Sequence, residues 1–403
     1  MRFEALDYRT RERSRGSNFY DITLKGEMIM AGWEGWEGWE GWEGWEGWEG
    51  WEGWSQGGQS SRRHGSGGSP GALIRGRELV LRGKSTSSWT LRPSELGTAK
   101  DRDVLDISQI ARARSIVFDL CSDLDFDVDT DPKTLLPKFT LKTRATKGGV
   151  STPFCTIGRP HDDVFKEQTK LVEAWAVARS ERLPEIIDQL GVPMALWGSI
   201  IDLNPATTPR TLQLIDVCVG VTAHVVHRIK QALITPRPVT RSPYVQPFIQ
   251  TPRFAALPAG HATEAYLVAR VIRKLLGLNF GHDANVALLD FAERISTNRV
   301  VAGFHFPVDN MAGCLLGDTL ARYFYALRSW DDKNPTDGVD FKARVFESAA
   351  MPSTQEFVPQ DYFSERAVAP FAAPTVVTLL PAQKDLKTRA FRKLWAAAAA
   401  EWV

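Results

Sequence analysis

From Arg210 to Thr235 the chain runs without a proline, and Leu212, Ile215, Val219 and Val226 fall at helical spacing. Pro209 stands near the start of this segment, where a helix accepts proline, and Pro236 and Pro238 stop it. The same pattern recurs on both sides. Asp162–Leu190 carries Val164, Leu171, Trp175, Ala178, Leu183, Ile187 and Leu190, with Pro184 expected to divide it. Further helices are predicted from Gly260 to Leu276 with Gly277 as C-cap, over Ala284–Thr297, from Phe306 to Leu327, and over Lys384–Trp402 with its five alanines. The pattern predicts an all-α fold, a helical bundle that buries one apolar face of each segment.

The N-terminal quarter does not read as a normal domain. Gly32–Trp54 reads Gly-Trp-Glu seven times and then Gly-Trp, and it holds eight of the 14 tryptophans. A period of three matches neither a strand nor an amphipathic helix, and glycine at every third place raises the entropy cost of order. Ser55–Pro70, rich in Gly, Ser, Gln and Arg, reads as linker. Three regions are expected: residues 1–70 as a disordered low-complexity tail and linker, 71–160 as an irregular N-terminal arm, and 161–403 as a helical catalytic domain. Within the arm, Ala72–Leu81 and Phe139–Val150 have strand-like pieces, and Ser115–Leu120 suits a helix.

Charge and cysteine usage narrow the class. With 49 basic and 48 acidic side chains among 403 residues, the balance argues against a nucleic-acid partner. Cys121, Cys155, Cys218 and Cys314 are too far apart for a disulfide framework or a thiolate metal site. The first residues are charged throughout, and Leu190–Ile201 and Leu212–Ile229 are interrupted by Pro193 or by Asp216, His224, His227 and Arg228. The expectation is a cytoplasmic protein that does not span a membrane.

Three separated blocks carry chemistry. In Lys230-Gln-Ala-Leu-Ile-Thr-Pro-Arg237-Pro238, a helix-ending lysine and an arginine in a proline-stiffened loop suit one multiply charged anion. In Pro258-Ala259-Gly260-His261, a helix start offers first-turn amides to an oxyanion beside an imidazole that can act as acid or base. In Arg299-Val-Val-Ala-Gly-Phe-His305-Phe-Pro-Val-Asp309, a third cation precedes a histidine with a carboxylate four residues on, suited to fix its tautomer. His224 and His227 lie one helical turn apart but lack a third ligand, so packing is the expected role, as it is for Trp175 and Trp197. His282-Asp283 reads as a turn and N-cap.

These blocks resemble the superfamily of type 2 phosphatidic acid phosphatases and vanadium-dependent haloperoxidases. Its pattern is Lys, six residues, Arg-Pro; then Pro-Ser-Gly-His; then Ser-Arg, five residues, His, three residues, Asp. The likeness spans Lys230 to Asp309, with Ala259 and Asn298 in the places of two serines. It implies the helical bundle of that group. It also implies that His261, His305 and Asp309 are catalytic, and that Lys230, Arg237, Gly260 and Arg299 hold phosphate or vanadate.

The resemblance implies two chemistries for one pocket. The first is a vanadate-dependent haloperoxidase-like enzyme, with vanadate as cofactor, His305 as the vanadium ligand, and halide and peroxide as substrates. It is favoured because much helix precedes the lysine block. The alternative is a soluble phosphatase without cofactor, which hydrolyses phosphomonoesters through a phosphohistidine at His305. A third reading, a catalytically weakened scaffold or adhesion protein, is motivated by Ala259 and the Gly-Trp-Glu tract. The partner expected in either enzyme is a small molecule, and a homodimer is compatible with the fold.

Overall fold

The computed structural model describes residues 105, 107–132, 134–144, 151–190, 193–247, 249–328, 339–363, 367–379 and 386–402. The Gly-Trp-Glu tract, the Ser55–Pro70 linker and the piece expected at Ala72–Leu81 lie outside them. So does the unit Met1–Gly41; the described residues belong to the unit Trp42–Val403.

Helix α1 (Gln109–Ser122) opens the described chain, and the Ser108 hydroxyl caps it by accepting from the Ala111 N–H. Strands β1 (Leu124–Thr130), β2 (Pro137–Thr143) and β3 (Pro153–Gly158) follow. Next come α2 (Asp162–Ala174), a 3-10 turn at Trp175–Ala178, α3 (Arg179–Asp188) and the short α4 (Met194–Gly198). The helices around the motif blocks are α5 (Pro209–Leu233), α6 (Gly260–Leu275), α7 (Asp283–Val301) and α8 (Pro307–Arg328). Strand β4 (Val339–Phe346), α9 (Pro359–Phe363), β5 (Thr375–Leu379) and α10 (Leu386–Ala399) complete the described fold.

The all-α expectation is therefore corrected. Five strands form one sheet in the order β1-β2-β3-β4-β5, so the architecture is mixed α/β. Strands β3 and β4 pair in parallel, and the other neighbours pair antiparallel. One face of the sheet closes the helical core. Phe154 of β3 stacks on Tyr323 of α8 at 4.9 Å, and Phe341 of β4 meets Phe154 edge-on at 5.5 Å. The long helices match the periodicity closely, although α7 runs on past Thr297 to Val301 and α10 ends at Ala399. The Asp162–Leu190 segment breaks at Trp175–Ala178, while Pro184 sits inside α3.

Two elements position the site. α5 is long and apolar enough to cross a membrane by length and composition, yet most of it is buried in the protein. Its N-terminus lacks a side-chain cap of its own, and the Glu401 carboxylate supplies one by accepting from the Arg210 and Thr211 N–H groups at 2.6 and 2.8 Å. α6 and α8 pack backbone to backbone. A Cβ at Gly313 would lie 2.8 Å from the Ala259 carbonyl, and one at Gly317 would collide with the Thr263 carbonyl. This seam brings the start of α6 against the start of α8, where the Ala259 N–H donates to the Asp309 carbonyl at 3.0 Å. Trp197 is buried in the core against Phe291, as its packing assignment expects.

Candidate active site

Each motif block reaches the same place by a different local device. Lys230 lies in the last turn of α5, where a cation meets the carbonyl end of the helix. Its Nζ donates to the Ala255 and Ala256 carbonyls at 2.9 and 3.1 Å. Arg237 follows in the proline-rich loop and donates through Nε to Phe254 O and through Nη1 to Phe304 O. The Phe254 ring lies 5.2 Å from both cations and holds them side by side. Gly260 begins α6, preceded by Ala259, which gives the helix no side-chain cap. Arg299 lies in the last turn of α7, and the chain turns back through Gly303 at φ +83°. A Cβ there would meet Arg179 Nη2 at 2.9 Å, so backbone angle and space both call for glycine.

The turn delivers His305 to the mouth of α8. Its Nδ1 lies 3.2 Å from Asp309 Oδ2, which also accepts from the Phe306 N–H at 2.8 Å. A carboxylate at Nδ1 places the proton there and leaves the Nε2 lone pair outward. Nε2 faces Arg237 Nη1 at 3.1 Å. His261 lies nearby, its Nε2 donating to the Gln189 carbonyl at 3.0 Å. Lys230, Arg237, His261, Arg299, His305 and Asp309 are each at most 8% exposed, so little water screens them.

Burial, then Arg299, with Lys230 and Arg237 adding, holds the His261 pKa well below the ordinary imidazole value. The Gln189 carbonyl opposes them. Burial, followed by Arg237, Lys230, His261 and Arg299, does the same to His305. Both histidines are thus neutral at pH 7 in a pocket of concentrated positive charge. Burial also pulls Arg299 down to about 9, with Glu185 opposing. The pocket favours a multiply charged anion, which would relieve this repulsion.

Gln189, just after α3, was missed in the sequence. Its Oε1 accepts from Asn298 Nδ2 at 3.0 Å and from Arg299 Nη2 at 2.9 Å. Its Nε2 donates to Glu185, which clasps Arg294. One fully buried glutamine thus links the α7 arginine, held by its side chain, to the α6 histidine, held by its backbone carbonyl. No signal in the sequence marks it, because it stands far ahead of the first block and outside any pattern.

The vanadium centre expected at His305 is corrected. Among the described residues no three His, Cys, Asp or Glu side chains gather as a metal site. Near His305 stand Arg237, Lys230 and Arg299, which suit the oxygens of an oxyanion. His224 is exposed, and His227 has a packing role, edge-on at 5.3 Å against Phe254, the ring beside the two cations. His282 serves as an N-cap, its Nδ1 accepting from the Ala284 N–H.

No curated protein is similar enough to this chain to count as a match. Residues 213–333 match the family model described as the PAP2 superfamily, and this stretch contains every motif residue from Lys230 to Asp309. The chain therefore carries a PAP2-superfamily domain over residues 213–333, in the fold group that includes acid phosphatases and vanadium-haloperoxidase-like proteins.

Proposed function

We propose that the protein hydrolyses phosphomonoesters through a phosphohistidine at His305. The observation that carries this reading is the orientation of His305: Nδ1 on Asp309, and Nε2 aimed into a cluster of cations. A phosphate dianion entering there accepts from Arg237, Arg299, Lys230 and the first amides of α6, displacing the contact between Arg237 and Nε2. The dianion also raises the proton affinity of His261, which arrives at the reactive state as an imidazolium.

His305 Nε2 attacks phosphorus as the bond to the ester oxygen breaks, and His261 gives its proton to that leaving oxygen. Asp309 offsets the positive charge that forms on the His305 ring. In the second half, neutral His261 takes a proton from water as the water oxygen attacks phosphorus. The N–P bond then breaks and inorganic phosphate leaves with His305 regenerated.

The test is hydrolysis of p-nitrophenyl phosphate by the full chain, with alkaline quenching and mass spectrometry of the His305 peptide. A phosphorylated His305 is expected, with orthovanadate as a competitive inhibitor, and His305→Ala should lose at least about 10³-fold in kcat. Undiminished hydrolysis by His305→Ala, or halide oxidation requiring vanadate and peroxide without phosphate release, would overturn the reading.

A further inference from the structure

The helices α6, α7 and α8 carry a second constellation away from the catalytic ends. Arg270 lies nine residues beyond His261 on α6, about 13 Å along the helix. Asp318 lies nine residues beyond Asp309 on α8, an equal distance. Between them and α9 opens a cavity of about 620 Å³, within the range of small-molecule sites.

Its basic wall has more charge than its carboxylate partner can serve. Asp318 alone accepts from Arg270 Nε and Arg322 Nε, both at 2.6 Å, and from Tyr362 Oη at 2.8 Å. Arg270 is 4% exposed, yet its Nη1 and Nη2 have no hydrogen-bond partner. Arg344, 3% exposed, reaches the same wall and leaves its Nε unpartnered. Buried donors left this way are destabilising, and an acceptor in the cavity would offset that cost.

The other walls define the rest of a ligand. The Arg270 guanidinium lies 4.4 Å from the Phe363 ring centroid and 5.3 Å from that of Phe280, so the charged wall is flanked by aromatic faces. The lining also includes the acceptors Asp290 and Glu293, and Asn285, whose Oδ1 is buried without a donor. A neighbouring cavity of about 370 Å³ shares Arg270, Phe280 and Arg322 and adds Arg273 and Lys274. Burial, then Arg273, Arg322 and Arg270, depresses the Lys274 pKa, in keeping with an excess of positive charge on this side.

We infer that this cavity is a second ligand site, separate from the catalytic pocket, for a small aromatic acid. The acid group meets the Nη atoms of Arg270 and the Arg344 guanidinium. The ring packs against the apolar lining of Leu289 and Phe363, and a hydroxyl or amine on its far side donates to Glu293 or Asn285.

Isothermal titration calorimetry with 4-hydroxybenzoate tests this, using 4-hydroxybenzyl alcohol and inorganic phosphate as controls that lack the charge or the ring. Saturable one-site binding of the benzoate is expected, with both controls at least about tenfold weaker. Arg270→Lys keeps a cation beside Asp318 but removes the fork, and should weaken binding by about tenfold or more. Val286→Trp, at an exposed rim position, should block entry without disturbing the core. His305→Ala should bind the benzoate as the unaltered chain does, which separates this site from the catalytic one and keeps the result independent of the phosphatase reading. The inference is overturned if no saturable heat appears at millimolar benzoate. It is also overturned if neither Arg270→Lys nor Val286→Trp weakens binding, or if His305→Ala abolishes it.

Discussion

At position 259 the chain departs from the pattern of its superfamily at the point where a hydroxyl would face the bound oxyanion. The α6 N-terminus has no side-chain cap, and Ala259 is fully buried. Restoring the hydroxyl adds one donor to the developing charge. Ala259→Ser should raise kcat for p-nitrophenyl phosphate by roughly 10²-fold, the size of one oxyanion contact, with a smaller change in KM. An unchanged kcat would mean that the backbone amides already saturate the oxygen facing them. At this scale the site is legible in the sequence because anion chemistry demands particular residue types. Lys230, Arg237, His261, Arg299, His305 and Asp309 each declare a charge or a proton to move. Gln189 declares neither. Its role exists only because α3 ends beside α7, a relation that no local pattern encodes.

Between elements, the α6–α8 seam sets the geometry of the two histidines. Gly313 and Gly317 let the helices touch, and the atoms that a Cβ would meet at Gly317 are backbone atoms of Thr263 and Leu267, which cannot swing aside. Gly317→Ala should cost about 1–3 kcal/mol, seen as a lower urea midpoint at unchanged slope. Because the displaced helix begins at Gly260, kcat should fall further than the stability loss explains. The helices were readable because long segments repeat their apolar period several times. The strands were not, although β1 alternates Leu124, Phe126 and Val128 with three aspartates, and β4 alternates Phe341, Ala343 and Val345 with charged residues. Such runs of seven or eight residues give few periods, and the parallel partner of β4, β3, lies far away in the chain. Of the strand-like piece expected at Phe139–Val150, the first half is β2.

For the whole molecule, burying two neutral histidines among cations links stability to pH. Their folded pKa values lie below the unfolded value of about 6.5, so below that pH the unfolded chain binds more protons. Stability is therefore fully present above about pH 6.5 and falls as pH drops, by up to roughly 1.4 kcal/mol per pH unit for each histidine. Urea unfolding at pH 7.5 and 5.5 should show this loss. His261→Asn with His305→Asn should flatten it, and inorganic phosphate should oppose it by favouring the charged rings. A steep slope retained in the double variant would assign the effect elsewhere. The parallel seam between β3 and β4 has a different consequence. Val339–Phe346 must come back to Pro153–Gly158, so all the motif blocks lie inside the loop that this pairing shuts. While the chain is being synthesised, β3 waits with an open edge until β4 leaves the ribosome, and an open edge recruits strands from other nascent chains. The yield of active protein should then respond to translation speed and to chaperones that shield that edge.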